Sequence, residues 1–312
     1  MHFKNKLINK IEYKYAVESF RLPNSKIKKI EVLINKNNKD KLKSVIEGKK
    51  KKEFLKYVLG AYETDVVFTK EEFEKIEAIK CDYGKILANL SKPNKKDLFD
   101  RFTANFTYES NALEGNSLTL KDVAIVMFEN STIKGKDLGE IYETRNSRQV
   151  IEGIMSNKFK ISEEDIIKIH KILVKDLDIS VGYKKFPNIL VGKRIKLTSP
   201  ENVKSEMEKL IKWYGENKEK FHPLKLASLF HGKFEQIHPF EDGNGRVGRF
   251  LINIILVNNK YPPLIIRKSQ RISYLTALEK FDNKYSGTLE RFILEKFKET
   301  YRKFFEIYFK YL

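Results

Sequence analysis

Apolar positions along this 312-residue chain alternate near its start and then fall at helical spacing, which divides it into two kinds of structure. Between residues 11 and 35, Tyr13, Tyr15 and Val17 alternate in one arm, and Ile27, Ile30 and Val32 populate the other. That pattern predicts a strand pair turning at Leu22-Pro23-Asn24-Ser25. The polar run Asn35-Lys36-Asn37-Asn38-Lys39-Asp40 leads into helical segments, one of them opened by the capping-box spacing Thr69-x-x-Glu72. Ser91-Lys92-Pro93-Asn94 reads as a boundary. Residues 1–95 are therefore expected to form a small α/β extension containing a β-hairpin, and 96–312 a mainly α domain.

The second part carries helical signals almost throughout. Phe99, Phe102 and Phe106 recur at three and four, a core stripe, and Thr119-x-x-Asp122 and Ser162-x-x-Asp165 mark helix starts. Ser199-Pro200 and Pro223 place proline at a first helical position. Leu226, Phe230, Phe234 and Ile237 share one face and deliver His238 at the end of their helix. A second helix follows: from Arg246 to Val257 the chain is almost wholly apolar, as a buried helix requires. Arg246, Arg249 and Asn253 form its one polar stripe. Residues 187–198 instead read as a hairpin, with Gly192 near the centre of a β-rich run.

Between the two helices lies the chemistry. His238-Pro239-Phe240-Glu241-Asp242-Gly243-Asn244-Gly245-Arg246-Val247-Gly248-Arg249 combines an imidazole, a carboxylate, a glycine loop and two arginines. Glycines let backbone amides approach a phosphate, and the helix that opens at them favours an anion at its N-terminus. Gly243-x-Gly245-x-x-Gly248 matches the dinucleotide fingerprint literally, but no strand precedes it and no acidic residue occurs between Asp242 and Glu279. No Lys-Ser/Thr pair follows the glycines, so a Walker loop is excluded too. A glycine turn capping a core helix with solvated arginines is the plain alternative.

The twelve residues resemble, without departure, the signature of Fic-domain proteins, His-Pro-Phe-x-(Asp or Glu)-Gly-Asn-Gly-Arg-x-x-Arg. The resemblance extends over roughly residues 96–300. It implies a Fic-type helical fold in which the 187–198 hairpin is a flap, with Val191, Gly192, Lys193 and Arg194 at its tip, holding a target protein by strand addition. It also implies transfer of AMP from ATP to a Ser, Thr or Tyr hydroxyl. His238 would be the general base, and Asp242 would hold Mg²⁺. Gly243, Asn244 and Gly245 would cradle the α-phosphate, Arg246 and Arg249 would contact the β- and γ-phosphates, and Tyr274 would pack near the adenine. Ser110-Asn111-Ala112-Leu113-Glu114-Gly115 fits the family's inhibitory pattern, on a helix near 99–114. Glu114 is then expected to pair with Arg249 and deny it to ATP. In some relatives the same glutamate positions a water that removes AMP, so a hydrolase is the alternative direction. Self-modification and homo-oligomers are both compatible with the resemblance.

Composition adds limits. The single cysteine, Cys81, excludes an internal disulfide and fits a reducing compartment. No apolar run reaches eighteen residues, and Met1-His2-Phe3-Lys4-Asn5-Lys6 lacks the apolar core of a signal peptide, so a cytoplasmic protein without a membrane span is expected. Residues 1–60 hold 17 Lys+Arg against 6 Asp+Glu, which places +11 of the +19 net charge there. Without aromatic-basic interleaving this reads as a solvated lysine-rich surface in preference to a nucleic-acid patch. A basic binding protein without catalysis is the third reading. His2, His170, His222 and His231 lack metal-ligand spacing and read as structural.

Overall fold

The computed structural model describes residues 1–22, 26–35, 39–129, 131–188 and 197–309. They form two compact units, Met1–Cys81 and Asp82–Leu312.

The first unit begins with strands β1 (His2–Ile8), β2 (Ile11–Arg21) and β3 (Ile27–Leu33) in an antiparallel sheet of that order, followed by α1 (Leu42–Ala61). β2 and β3 are the expected pair; β1, rich in exposed residues, carried no alternation to reveal it. The register pairs Ala16 with Val32 and Glu18 with Ile30. Directly paired residues share a face, so Ala16, Ile30 and Val32 point together. With Leu42 and Ile46 they form the buried cluster between sheet and α1. Tyr13, Tyr15 and Val17 therefore occupy the opposite face, where the Lys6 ammonium lies 5.0 Å from the Tyr15 ring centroid. Pro23, Asn24 and Ser25 of the expected turn lie outside the described residues.

Helices α2 (Lys70–Asn89), α3 (Lys92–Leu113), α4 (Leu120–Ala124), α5 (Leu138–Met155), α6 (Glu163–Leu173), α7 (Pro200–Asn217), α8 (Pro223–Ile237), α9 (Asn244–Asn258), α10 (Arg271–Asp282), α11 (Ser286–Thr300) and α12 (Glu306–Phe309) follow. The fold is mainly helical with a small N-terminal sheet. Side-chain caps explain many starts: Ser91 accepts from Asn94 N, Thr119 and Asp122 close a full capping box, and Ser162 accepts from Asp165 N. Ser199 departs from this rule, since its Oγ accepts from the Asn202 side chain and leaves the start of α7 to Pro200. An uncommon cap opens α8: His222 Nδ1 accepts from Leu224 N at 3.2 Å while Nε2 meets the Tyr261 hydroxyl at 3.0 Å.

At the centre of the second unit α9 packs on α8, with α3, α5 and α6 around it. Every residue of α9 from Arg246 to Leu256 is buried. The α3 stripe is Leu98, Phe102 and Phe106, spaced by four; Phe99 sits at its half-buried margin. Phe106 reaches Phe250 of α9 with centroids 5.4 Å apart, so this stripe fixes α3 against the helix that carries the motif arginines. Residues 189–196, with the expected flap tip Val191, Gly192, Lys193 and Arg194, lie outside the described residues.

Candidate active site

α8 ends at His238, whose backbone adopts the left-handed conformation (φ 49°, ψ 62°) while its N–H still donates to Phe234 O at 2.9 Å. This turns the chain sharply and sets the imidazole at the rim, 15% exposed, with Nδ1 3.8 Å from Glu235 Oε2. Such a conformation in a non-glycine residue is sustained by its surroundings. The buried Phe240 behind it anchors the loop, stacked on His170 with centroids 3.9 Å apart. His170 Nε2–H donates to Asp242 O at 3.2 Å and Nδ1 accepts from Gly182 N, so both nitrogens are used by a neutral ring. Burial pushes that imidazole down to about 4.

Gly243 (φ 81°) then supplies the positive dihedral that opens α9. The side chain of Asn244 closes the loop by pairing twice with the Phe240 backbone, donating to O and accepting from N at 2.8 Å each. Its side chain is thereby tied to the loop. The amides of Asn244, Gly245 and Arg246 begin the helix, before Val247 N bonds Gly243 O. They are the orphan donors that suit an anion.

Both arginines are buried behind this loop, and both are already paired. Arg249 donates to Glu114 Oε1 at 2.7 Å, to Ser110 Oγ at 2.9 Å and to Ser110 O at 2.8 Å. Gly245 makes room for that contact, because a Cβ there would fall on the Glu114 carboxylate and 2.9 Å from the guanidinium. Burial alone would raise the Glu114 carboxyl. Arg249 first, then Arg246 and Arg271, outweigh it and hold the group below the usual carboxylate range. Arg246 donates to Glu143 Oε1 at 2.6 Å and to Asp242 Oδ2 at 2.9 Å. Asn253, the third residue of the stripe, is structural: it bonds Leu264 N and O.

A cavity of about 570 Å³ gathers His238, Asp242, Gly243, Asn244, Gly245 and Glu114 on its wall. Tyr274 is not among its lining residues; its hydroxyl meets His231 Nε2 at 2.7 Å, and burial raises it far above the tyrosine range. His231 in turn packs where Gly248 lacks a side chain, and burial lowers it to about 3. Three participants were invisible in the sequence. Glu143 lies 103 positions before Arg246 in an ordinary amphipathic helix. Lys184 lies just before the expected 187–198 flap and Asn188 is the second residue of it; they bridge to the motif through Lys184 N to Pro239 O at 2.9 Å and Asn188 Nδ2 to Glu241 O at 2.9 Å.

The sequence profile of the Fic/DOC family matches residues 160–256, the stretch that holds α6, the bridging segment, α7, α8 and nearly all of α9. Over that stretch, about a third of the chain, the protein matches the Fic/DOC family. It is 30% identical over 209 residues to the protein adenylyltransferase Fic of Nematostella vectensis, covering 65% of this chain and 48% of that protein. With the protein adenylyltransferase Fic of Drosophila melanogaster it shares 32% over 172 residues, covering 54% and 35%. The chain thus spans about half or less of the length of the curated relatives it matches. Among solved structures, it resembles a Fic-domain-containing signaling protein from Bacteroides thetaiotaomicron with a TM-score of 0.63 and 27% identity, covering 75% of this chain and 94% of that one. A Fic-family protein from Desulfovibrio desulfuricans gives 0.61 at 25% identity, covering 78% and 75%.

Proposed function

We propose that this chain is a protein adenylyltransferase, moving AMP from ATP to a protein hydroxyl, and that Glu114 restrains it. One observation carries the reading: Glu114 at 2.7 Å from Arg249, beside a glycine helix start that shares a cavity with His238 and Asp242. A target hydroxyl is a poor nucleophile until its proton leaves, and His238 stands at the rim to accept it. The hydroxyl oxygen forms a bond to the α-phosphorus, the bond to the bridging oxygen breaks, and pyrophosphate departs. Amides at the start of α9 stabilise charge developing on the transferred phosphoryl group. The names of the adenylyltransferase relatives and the complete motif support this direction.

Among the described residues no group of three or more His, Cys, Asp or Glu is arranged for a metal ion. That suits Mg²⁺ arriving with nucleotide phosphates, which is commonly held by one or two carboxylates plus the substrate. Asp242, more than half exposed, fits as the protein's ligand. The ion would neutralise phosphate charge, while Arg246 steadies the Asp242 carboxylate that holds it.

The second reading, AMP removal, rests on Glu114 being the carboxylate beside the cradle, where it could orient a water. No helix among the described residues is long and apolar enough to cross a membrane. We place the protein in the cytoplasm from its cysteine usage and assign the 187–198 segment to target docking. Labelled ATP with native, Glu114→Gly and His238→Ala proteins tests the first reading: label should rise in Glu114→Gly and vanish in His238→Ala. An AMP-modified target released by native protein and retained by Glu114→Gly would favour the second.

A further inference from the structure

Lys184 is a buried cation in search of a counter-charge. It is 4% exposed, lines the same cavity as His238 and Asp242, and its Nζ has no hydrogen-bond partner among the described residues. Its position is not accidental slack. Lys184 N donates to Pro239 O, the neighbouring Tyr183 forms a β-bridge with Phe240, and the Tyr183 hydroxyl donates to Glu163 at 2.9 Å. Asn188 Nδ2 donates to Phe240 O and Glu241 O, clamping the far end of the segment. The stem is therefore fixed to the loop whose glycines start α9.

A buried ammonium without a partner is costly, and folded proteins retain one mainly where something compensates it. No described carboxylate does so here, and burial alone holds the Lys184 amine below the ordinary lysine range. The other motif cations differ: Arg246 is bonded to Glu143 and Asp242, and Arg249 to Glu114. An anion entering the cavity would meet in Lys184 a buried cation that gives up no existing partner among the described residues. The α9 amides on the same wall suit phosphate oxygens.

We propose that Lys184 is an anion-contacting residue of this cavity and pairs with the phosphate chain of the bound nucleoside triphosphate. This rests on the proposed nucleotide site and adds a binding group from outside the motif. Lys184 then serves two states: uncompensated when the cavity lacks an anion, neutralised when the triphosphate occupies it.

Calorimetric titration of the full chain with inorganic pyrophosphate, ATP and adenosine tests this, using native protein, Lys184→Met and Lys184→Arg, with melting curves of each without ligand. A charge-assisted hydrogen bond lost from a buried site corresponds to about a tenfold loss of affinity or more. Lys184→Met should bind pyrophosphate and ATP at least tenfold more weakly, bind adenosine unchanged, and melt no lower than native protein without ligand. Lys184→Arg should keep most of the affinity. Unchanged pyrophosphate binding in Lys184→Met, or a ligand-free melting point well below native, overturns the proposal and leaves a merely structural lysine. If the pyrophosphate result holds while neither native protein nor Glu114→Gly incorporates label from ATP, the adenylyl-transfer reading fails and the anion contact stands. Native protein that binds neither pyrophosphate nor ATP sinks both.

Discussion

Replacing Glu114 by glycine removes one carboxylate oxygen from a guanidinium that is otherwise fully enclosed. Arg249 keeps its two contacts with Ser110, at 2.9 and 2.8 Å, so it stays in place but gains an open valence toward the cavity. Glu114 and a terminal phosphate would compete for that valence. A charge-assisted hydrogen bond is worth about 1.5–3 kcal/mol. Removing the competitor should therefore raise AMP incorporation by about 10- to 150-fold. The stability change should be smaller: Glu114 is 40% exposed, so solvent screens part of its attraction, and about 1–2 kcal/mol is expected. For a chain of this size that lowers the melting temperature by a few degrees. Residue 114 has ordinary αR dihedrals (φ −91°, ψ 0°), so glycine adds no backbone strain. The assay is incorporation of α-labelled ATP at saturating nucleotide, with melting curves alongside. Incorporation equal to or below native in a variant that melts within those few degrees would refute intramolecular restraint. Glu114→Gln should fall between the two proteins, because it keeps a weaker acceptor without the charge.

Three other outcomes follow from the same geometry. Glu143→Ala leaves a 2%-exposed guanidinium with one carboxylate partner, and should destabilise the protein by about 3 kcal/mol in denaturant titration; a loss under about 1 kcal/mol would show that Asp242 alone suffices. Gly248→Ala would place a Cβ 2.6 Å from Glu235 Oε1 and 2.8 Å from the His231 ring, so α8 and α9 must part, costing about 1–3 kcal/mol as read by melting temperature. Acid should weaken the fold before most carboxylates titrate. His170 and His231 have folded values lowered by burial to about 4 and about 3 from 6.5, so the unfolded chain binds their protons first. Their contribution is complete above pH 6.5 and is lost as pH falls, by about 2 kcal/mol per histidine between pH 6.5 and 5. A melting temperature flat over that interval, or His170→Gln with an undiminished slope, would contradict the assignment.

What the sequence determined by itself was local. Caps at Thr119 and Ser162, the buried run of α9, and the α8 face from Leu226 to Ile237 each follow from spacing within a few residues. The imidazole, carboxylate, glycines and arginines were legible because one turn between two helices carries them all. Strand β1 was not, since most of its side chains are exposed and no apolar alternation was required. Beyond the pairing that the resemblance implied for Glu114, only the tertiary structure decided which charges meet. Glu114 reaches Arg249 across 135 positions and Glu143 reaches Arg246 across 103, because α3 and α5 both pack on α9. It also set the buried Tyr274 hydroxyl against His231. Lys184 looked like any other lysine in a chain rich in them. Its burial exists only after the chain closes over it, since desolvation belongs to the packed environment and not to the residue.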